Sequence, residues 1–124
     1  MRLRSERKIL KFDYELFIMD DYDVYTTENF DEQFRKLTIE EQKRVKKIYL
    51  QLKEYPYVGD QLRYKFLREK RLKEKRIYYL VYDDLKTVLV VALSTKKTQQ
   101  ETINRIIKYL DEYYKYIKDL LNKT

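Results

Sequence analysis

Cysteine, histidine and tryptophan are absent from this 124-residue chain, and glycine and proline occur once each. Without cysteine there is no disulfide and no thiolate nucleophile. Without histidine, Ser-His-Asp and Cys-His catalysis are excluded, and the commonest metal ligand is missing. No apolar run is long enough to cross a bilayer, and the basic start, MRLRSERKILKF, is not followed by the apolar core of a secretory signal. The expectation is a cytoplasmic protein that uses no cofactor and no metal. Its chemistry must rest on Lys, Arg, Tyr and carboxylates. Charged residues make up 40% of the chain, which together with few flexible positions matches the bias of heat-stable proteins and suggests a thermophilic source.

What is present is concentrated. Residues 63–76 read RYKFLREKRLKEKR, with eight Lys or Arg and two Glu; eight minus two is +6, out of a net +7 for the whole chain. Positive charge this local is the footprint of a surface that meets phosphate. Residues 13–32 are the opposite, with eight acids and no base, and are expected to face solvent. Tyrosine occurs fourteen times. Most of these rings are expected to pack, because a buried tyrosine supplies a large apolar surface with one polar tip.

Residues 22–26 alternate like a short strand. Thr27 or Asn29 can cap a helix running to about residue 37. Thr38 stands three residues before Glu41, the capping-box spacing, and opens a helix with its apolar stripe at Val45, Ile48, Tyr49, Leu52 and Tyr55. Pro56 ends that helix and Gly59 supplies a turn. Three strands are expected over residues 62–70, 75–83 and 87–94. The second places Ile77, Tyr79 and Val81 on one face and Arg76, Tyr78, Leu80 and Tyr82 on the other. The third is apolar on both faces, so it belongs at the centre of a covered sheet. From Thr98 or Gln99 to about residue 122, apolar positions at 103, 106, 110, 113, 117 and 120 form one helical seam. It is expected to lie on the chain's own sheet, with a homodimer through the C-terminal helix as the alternative.

The order of these elements resembles the RelE/ParE toxin superfamily. YPYVGDQL is similar to the family's link into its second strand, KRIYYLVYDD to the strand in which an Arg precedes an aliphatic-aromatic run, and VLVVALSTKK to the last strand, which ends in basic residues. The resemblance covers residues 22–103. It implies an α+β fold in which a small antiparallel meander packs with an N-terminal helical hairpin and a long C-terminal helix. Residues 1–21 would be an N-terminal extension, and residues 22–124 a single toxin domain.

It also implies a function: the toxin of a type II toxin–antitoxin system, acting as a ribosome-dependent mRNA endoribonuclease and neutralised by a small acidic, amphipathic antitoxin. Arg76 matches the strand arginine and Lys97 the basic residue after the last strand, so these two are the expected catalytic residues. Arg68, Lys70, Arg71, Lys75, Lys96 and Tyr78 are the expected RNA-binding set. One position departs from the pattern. RNA-cutting members often carry an aromatic residue six positions after the last basic one, where this chain has Ile103; Tyr78 and Tyr109 are the nearby hydroxyls. Two alternatives therefore stand beside cleavage: a ParE-like topoisomerase inhibitor and a non-catalytic nucleic-acid-binding module.

Overall fold

The computed structural model describes residues 2–3 and 21–123, so the N-terminal extension expected over 1–21 falls almost entirely outside the described residues. Strands are β1 (Arg2–Leu3), β2 (Asp23–Thr26), β3 (Asp60–Gln61), β4 (Leu67–Leu72), β5 (Lys75–Tyr82) and β6 (Thr87–Thr95). Helices are α1 (Glu28–Arg35), α2 (Ile39–Glu54), α3 (Gln99–Lys108) and α4 (Leu110–Asn122). The fold is α+β, built on one sheet of order β1-β2-β6-β5-β4-β3.

Local chemistry sets the helical hairpin. The Thr27 hydroxyl accepts from Phe30 N–H at 3.1 Å and so caps α1. The α2 capping box is complete: Thr38 Oγ1 accepts from Glu41 N–H at 3.1 Å, and Glu41 Oε1 accepts from Thr38 N–H at 3.0 Å. Each orphan donor of the first turn that finds a partner this way favours the helix by about 1 kcal/mol.

β4, β5 and β6 form the expected antiparallel meander, but the sheet is mixed: β2 pairs parallel to β6, with Asp23 opposite Thr87 and Thr26 opposite Val90. A parallel pair needs a long crossover, supplied here by the two helices and the meander between β2 and β6. β2 stops at Thr26, and beyond it the Gln33 side chain takes over the work of a strand. Its Nε2 donates to Leu93 O at 3.1 Å and its Oε1 accepts from Leu93 N–H at 3.1 Å.

The basic strand begins later than the sequence suggests, at Leu67 rather than at 62, because Leu62 N–H and Leu67 O are tied at 3.0 Å across a tight loop. At the two-residue turn between β4 and β5, Lys73 takes φ 52°, a left-handed conformation usually left to glycine or asparagine.

β6 is buried on both faces, as its sequence requires. One face packs on the hairpin through Phe30, Val45, Tyr49, Leu52, Ile77, Tyr79 and Val90. The other packs on the C-terminal helices through Tyr78, Leu80, Leu89, Val91, Ile106 and Ile117, with Ile103, Leu110, Tyr113 and Leu120 partly buried around them. The seam therefore lies on the chain's own sheet. The single long helix expected there is instead two. Tyr109, at φ −111° and ψ 23°, leaves helical geometry, and its N–H bonds back to Ile106 O in a tightened last turn at 3.1 Å.

Candidate functional site

The period-2 alternation of strands sorts the basic run onto two faces. In register, Arg71 stands opposite Arg76 and Glu69 opposite Tyr78, so these four share the face covered by α3 and α4. Arg68 stands opposite Tyr79 and Lys70 opposite Ile77, on the face covered by the helical hairpin.

At the end of the sheet where the β4–β5 turn meets the end of β6, Arg71, Glu74, Lys75, Arg76, Thr95, Lys96 and Lys97 line a cleft of about 440 Å³, which Lys75 reaches from the hairpin face. Five cations and one acid make this a concentrated positive site among the described residues. β4 and β5 bring Arg71, Lys75 and Arg76 to it, and the link from β6 into α3 brings Lys96 and Lys97. That link is interlocked: Thr95 N–H donates to Thr98 Oγ1 at 3.1 Å, and Thr98 N–H donates to Thr95 Oγ1 at 3.3 Å. α3 starts beside the cleft, so its N-terminal dipole adds to the positive potential there.

Arg76 is the innermost cation of the group. Its side chain is 11% exposed, its Nε lies 3.9 Å from Glu69 Oε2, and its buried Nη1 has no hydrogen-bond partner among the described residues. A buried guanidinium donor left unmet costs free energy, so the position of Arg76 is one the fold holds against a penalty. The outer cations differ. Lys75 Nζ is held by Glu41 Oε2 at 2.9 Å, Arg71 Nε donates to Lys73 O at 3.3 Å, and Lys96 and Lys97 are exposed.

Three residues expected at an RNA surface sit elsewhere. Arg68 is turned to the loop after α2: its Nε and Nη2 donate to Gly59 O at 3.1 and 2.8 Å, and Nη2 also donates to Tyr57 O at 2.9 Å. Its guanidinium stacks over the Tyr57 ring at 5.3 Å. Lys70 lies on the hairpin side of the sheet. Tyr78 is wholly buried, with its hydroxyl 2.8 Å from Ser94 Oγ and its pKa pushed up to about 12, chiefly by burial. Ile103 packs on the core beside it, and Tyr109 is exposed at the break between α3 and α4.

Sequence reasoning missed Glu69, Ser94 and Gln99. Strand alternation carries a signal for Glu69, two positions before Arg71 on the same face. Gln99 has none, since its bond to Glu69 spans 30 residues. Among the described residues, no cluster of His, Cys, Asp or Glu is placed to hold a metal ion, and no helix is long and apolar enough to cross a membrane.

No family model and no curated protein matches the sequence. Solved structures do match. A free-state variant of the Escherichia coli toxin RelE superposes with a TM-score of 0.58 at 20% identity, over 71% of this chain and 99% of that one. The fold is RelE-like. A RelBE toxin–antitoxin complex from Mycobacterium tuberculosis gives 0.55 at 23% identity, over 63% of this chain and 94% of the other. The RelE–RelB complex of the archaeon Pyrococcus horikoshii gives 0.53 at 19%, over 61% and 96%. Nearly the whole of each of these chains is matched, while about a third of this one extends beyond the RelE-like match.

Proposed function

We propose that this chain is the toxin of a toxin–antitoxin pair and that it cuts ribosome-bound mRNA at the cleft between β4, β5 and the start of α3. The observation that carries this reading is the cleft itself, in which Arg76 stands with four further cations. In RNA cleavage without a metal, the 2′-hydroxyl gives up its proton as its oxygen attacks the adjacent phosphorus, the 5′-oxygen leaves and takes up a proton, and a 2′,3′-cyclic phosphate remains. Negative charge grows on the phosphoryl oxygens in the transition state, and preorganised cations aimed at it lower the barrier.

Arg76 and Lys97 are the proposed catalytic residues, one inner, the other exposed at the rim. Arg71, Lys75 and Lys96 hold the flanking phosphates. Arg68 and Lys70 lie behind the sheet, where Arg68 ties the loop at Gly59, and Tyr78 is buried on the cleft's own face with its hydroxyl beside Ser94. The antitoxin is proposed to be a small acidic, amphipathic protein, in keeping with the toxin–antitoxin complexes among the similar structures.

One observation favours a second reading. No tyrosine among the described residues lines the cleft, and the position where an aromatic is expected is Ile103 on the core. A cleft that grips phosphate without a phenol to move a proton also suits a non-cutting binder, either a topoisomerase inhibitor or a nucleic-acid module.

Controlled expression without the partner separates these. Growth arrest with codon-positioned mRNA cuts, abolished by Arg76→Ala, is the expected result. Arrest with DNA damage selects the topoisomerase reading, and no arrest selects the binding module.

A further inference from the structure

Glu69 is an anomaly in an anion site. A carboxylate beside a phosphate-binding arginine opposes phosphate binding by charge, and its own side chain is 11% exposed, as is that of Arg76. Its two oxygens meet Gln99 and Arg76, and the buried Tyr78 hydroxyl also reaches the carboxylate. Oε1 accepts from Gln99 Nε2 at 2.7 Å, and Oε2 faces Arg76 Nε at 3.9 Å. The contact is therefore at the Nε edge of the guanidinium, and the Nη1 end is left without a partner among the described residues.

Gln99 is the first residue of α3, and the interlocked Thr95 and Thr98 fix where that helix begins. An amide is suited to this place. It donates to the carboxylate without neutralising it, and it brings no cation to compete for the phosphate.

We propose that Glu69 is a positioning residue for Arg76 and that Gln99 orients Glu69, so that the start of the C-terminal helical segment sets the direction of the phosphate-binding arginine. The inference rests on the phosphate-binding reading of the cleft. It assigns a role to two residues that touch no substrate, and it makes α3 a part of the site rather than only a cover for the core. Supporting residues of this kind typically change rate by about tenfold to a hundredfold when removed.

The test uses the full folded chain and two variants, Gln99→Met, which keeps length but has no donor, and Glu69→Gln, which keeps shape but has no charge. The Arg76 Nε–Hε signal in a nitrogen-15 spectrum is assigned by its loss in Arg76→Ala. Its exchange with water is expected to speed by about tenfold or more in Gln99→Met while backbone amide signals away from the cleft keep their positions. Unchanged exchange overturns the proposal.

Kinetics give the second readout. Gln99→Met should slow mRNA cleavage by about tenfold in the wild-type background and not at all in Arg76→Ala. Equal slowing in both overturns the relay. Glu69→Gln should bind a 2′-O-methylated RNA oligonucleotide at least as tightly as wild type while turning over more slowly; parallel loss of both marks a merely structural role and overturns the proposal. A wild-type protein that cuts no RNA removes the ribonuclease reading alone, and the Arg76 signal still decides whether Glu69 and Gln99 position it.

Discussion

Arg71 and Arg76 stand directly opposite each other on adjacent antiparallel strands, on the same face of the sheet. Like charges in that relation are destabilising by several tenths of a kcal/mol, up to about 1. A fold that keeps such a pair gives up stability to concentrate charge where the cleft opens. Arg71→Thr is therefore expected to raise the urea midpoint slightly while weakening RNA binding. A variant that loses stability, or binds RNA as well as wild type, would show that the pair is not kept for its charge.

Gly59 is confined by close approach rather than by backbone angle. A Cβ there would stand 2.5 Å from Glu69 O and 2.7 Å from the Tyr79 hydroxyl, which itself accepts from Gly59 N–H at 2.9 Å. Gly59→Ala should cost about 2 kcal/mol or more, because β4 backbone rather than a flexible side chain must move. Equilibrium denaturation measures this. Since Arg68 is anchored to the Gly59 carbonyl, Arg68→Ala should also destabilise.

Asp83 links three separate elements, accepting from Tyr57 Oη at 2.6 Å and from Tyr22 Oη at 2.7 Å. The Tyr57 hydrogen bond, then that of Tyr22, holds its carboxyl below the usual range. A folded pKa below the unfolded one contributes stability above the ordinary Asp range, and this is lost as pH falls through the lower folded value. On the alkaline side Tyr57, pushed up to about 12 by burial and then by Asp83, contributes stability that disappears as pH rises from the ordinary tyrosine range through that value. Asp83→Asn should therefore be least stable relative to wild type near neutral pH, with the gap closing in acid. A gap of constant size from neutral to acid pH would show that the carboxylate's charge is not what the two phenols hold.

The apolar seam makes a further prediction. Ile106 is 1% exposed against the sheet, so Ile106→Asp places an unpaired charge in the core and should cost several kcal/mol. A variant that melts normally and loses only self-association would move the seam to an interface between two copies.

Features set by neighbours along the chain were legible in the residues. The Thr38–Glu41 capping box, the two faces of β5 and the double burial of β6 each follow from spacing alone. The basic run was legible as charge but not as a surface. Strand alternation divides Arg68 and Lys70 from Arg71 and Arg76, and the carbonyls of Tyr57 and Gly59, in the loop before β4, take the Arg68 donors. The parallel pairing of β2 with β6 and the Gln99–Glu69 bond join distant segments, and no local pattern encodes them. The break at Tyr109 was hidden because the seam keeps its three-four spacing straight through it.

The central claim is that Arg76 grips the scissile phosphate of ribosome-bound mRNA. Primer extension on mRNA held in purified ribosomes, with wild-type protein and with folded Arg76→Ala, tests it most directly. The account predicts discrete cuts by the wild type and at least about a hundredfold fewer by the variant, the cost of losing one preorganised donor to the transition state. Cuts of equal intensity from Arg76→Ala, or none from an active, growth-arresting wild type, would contradict it.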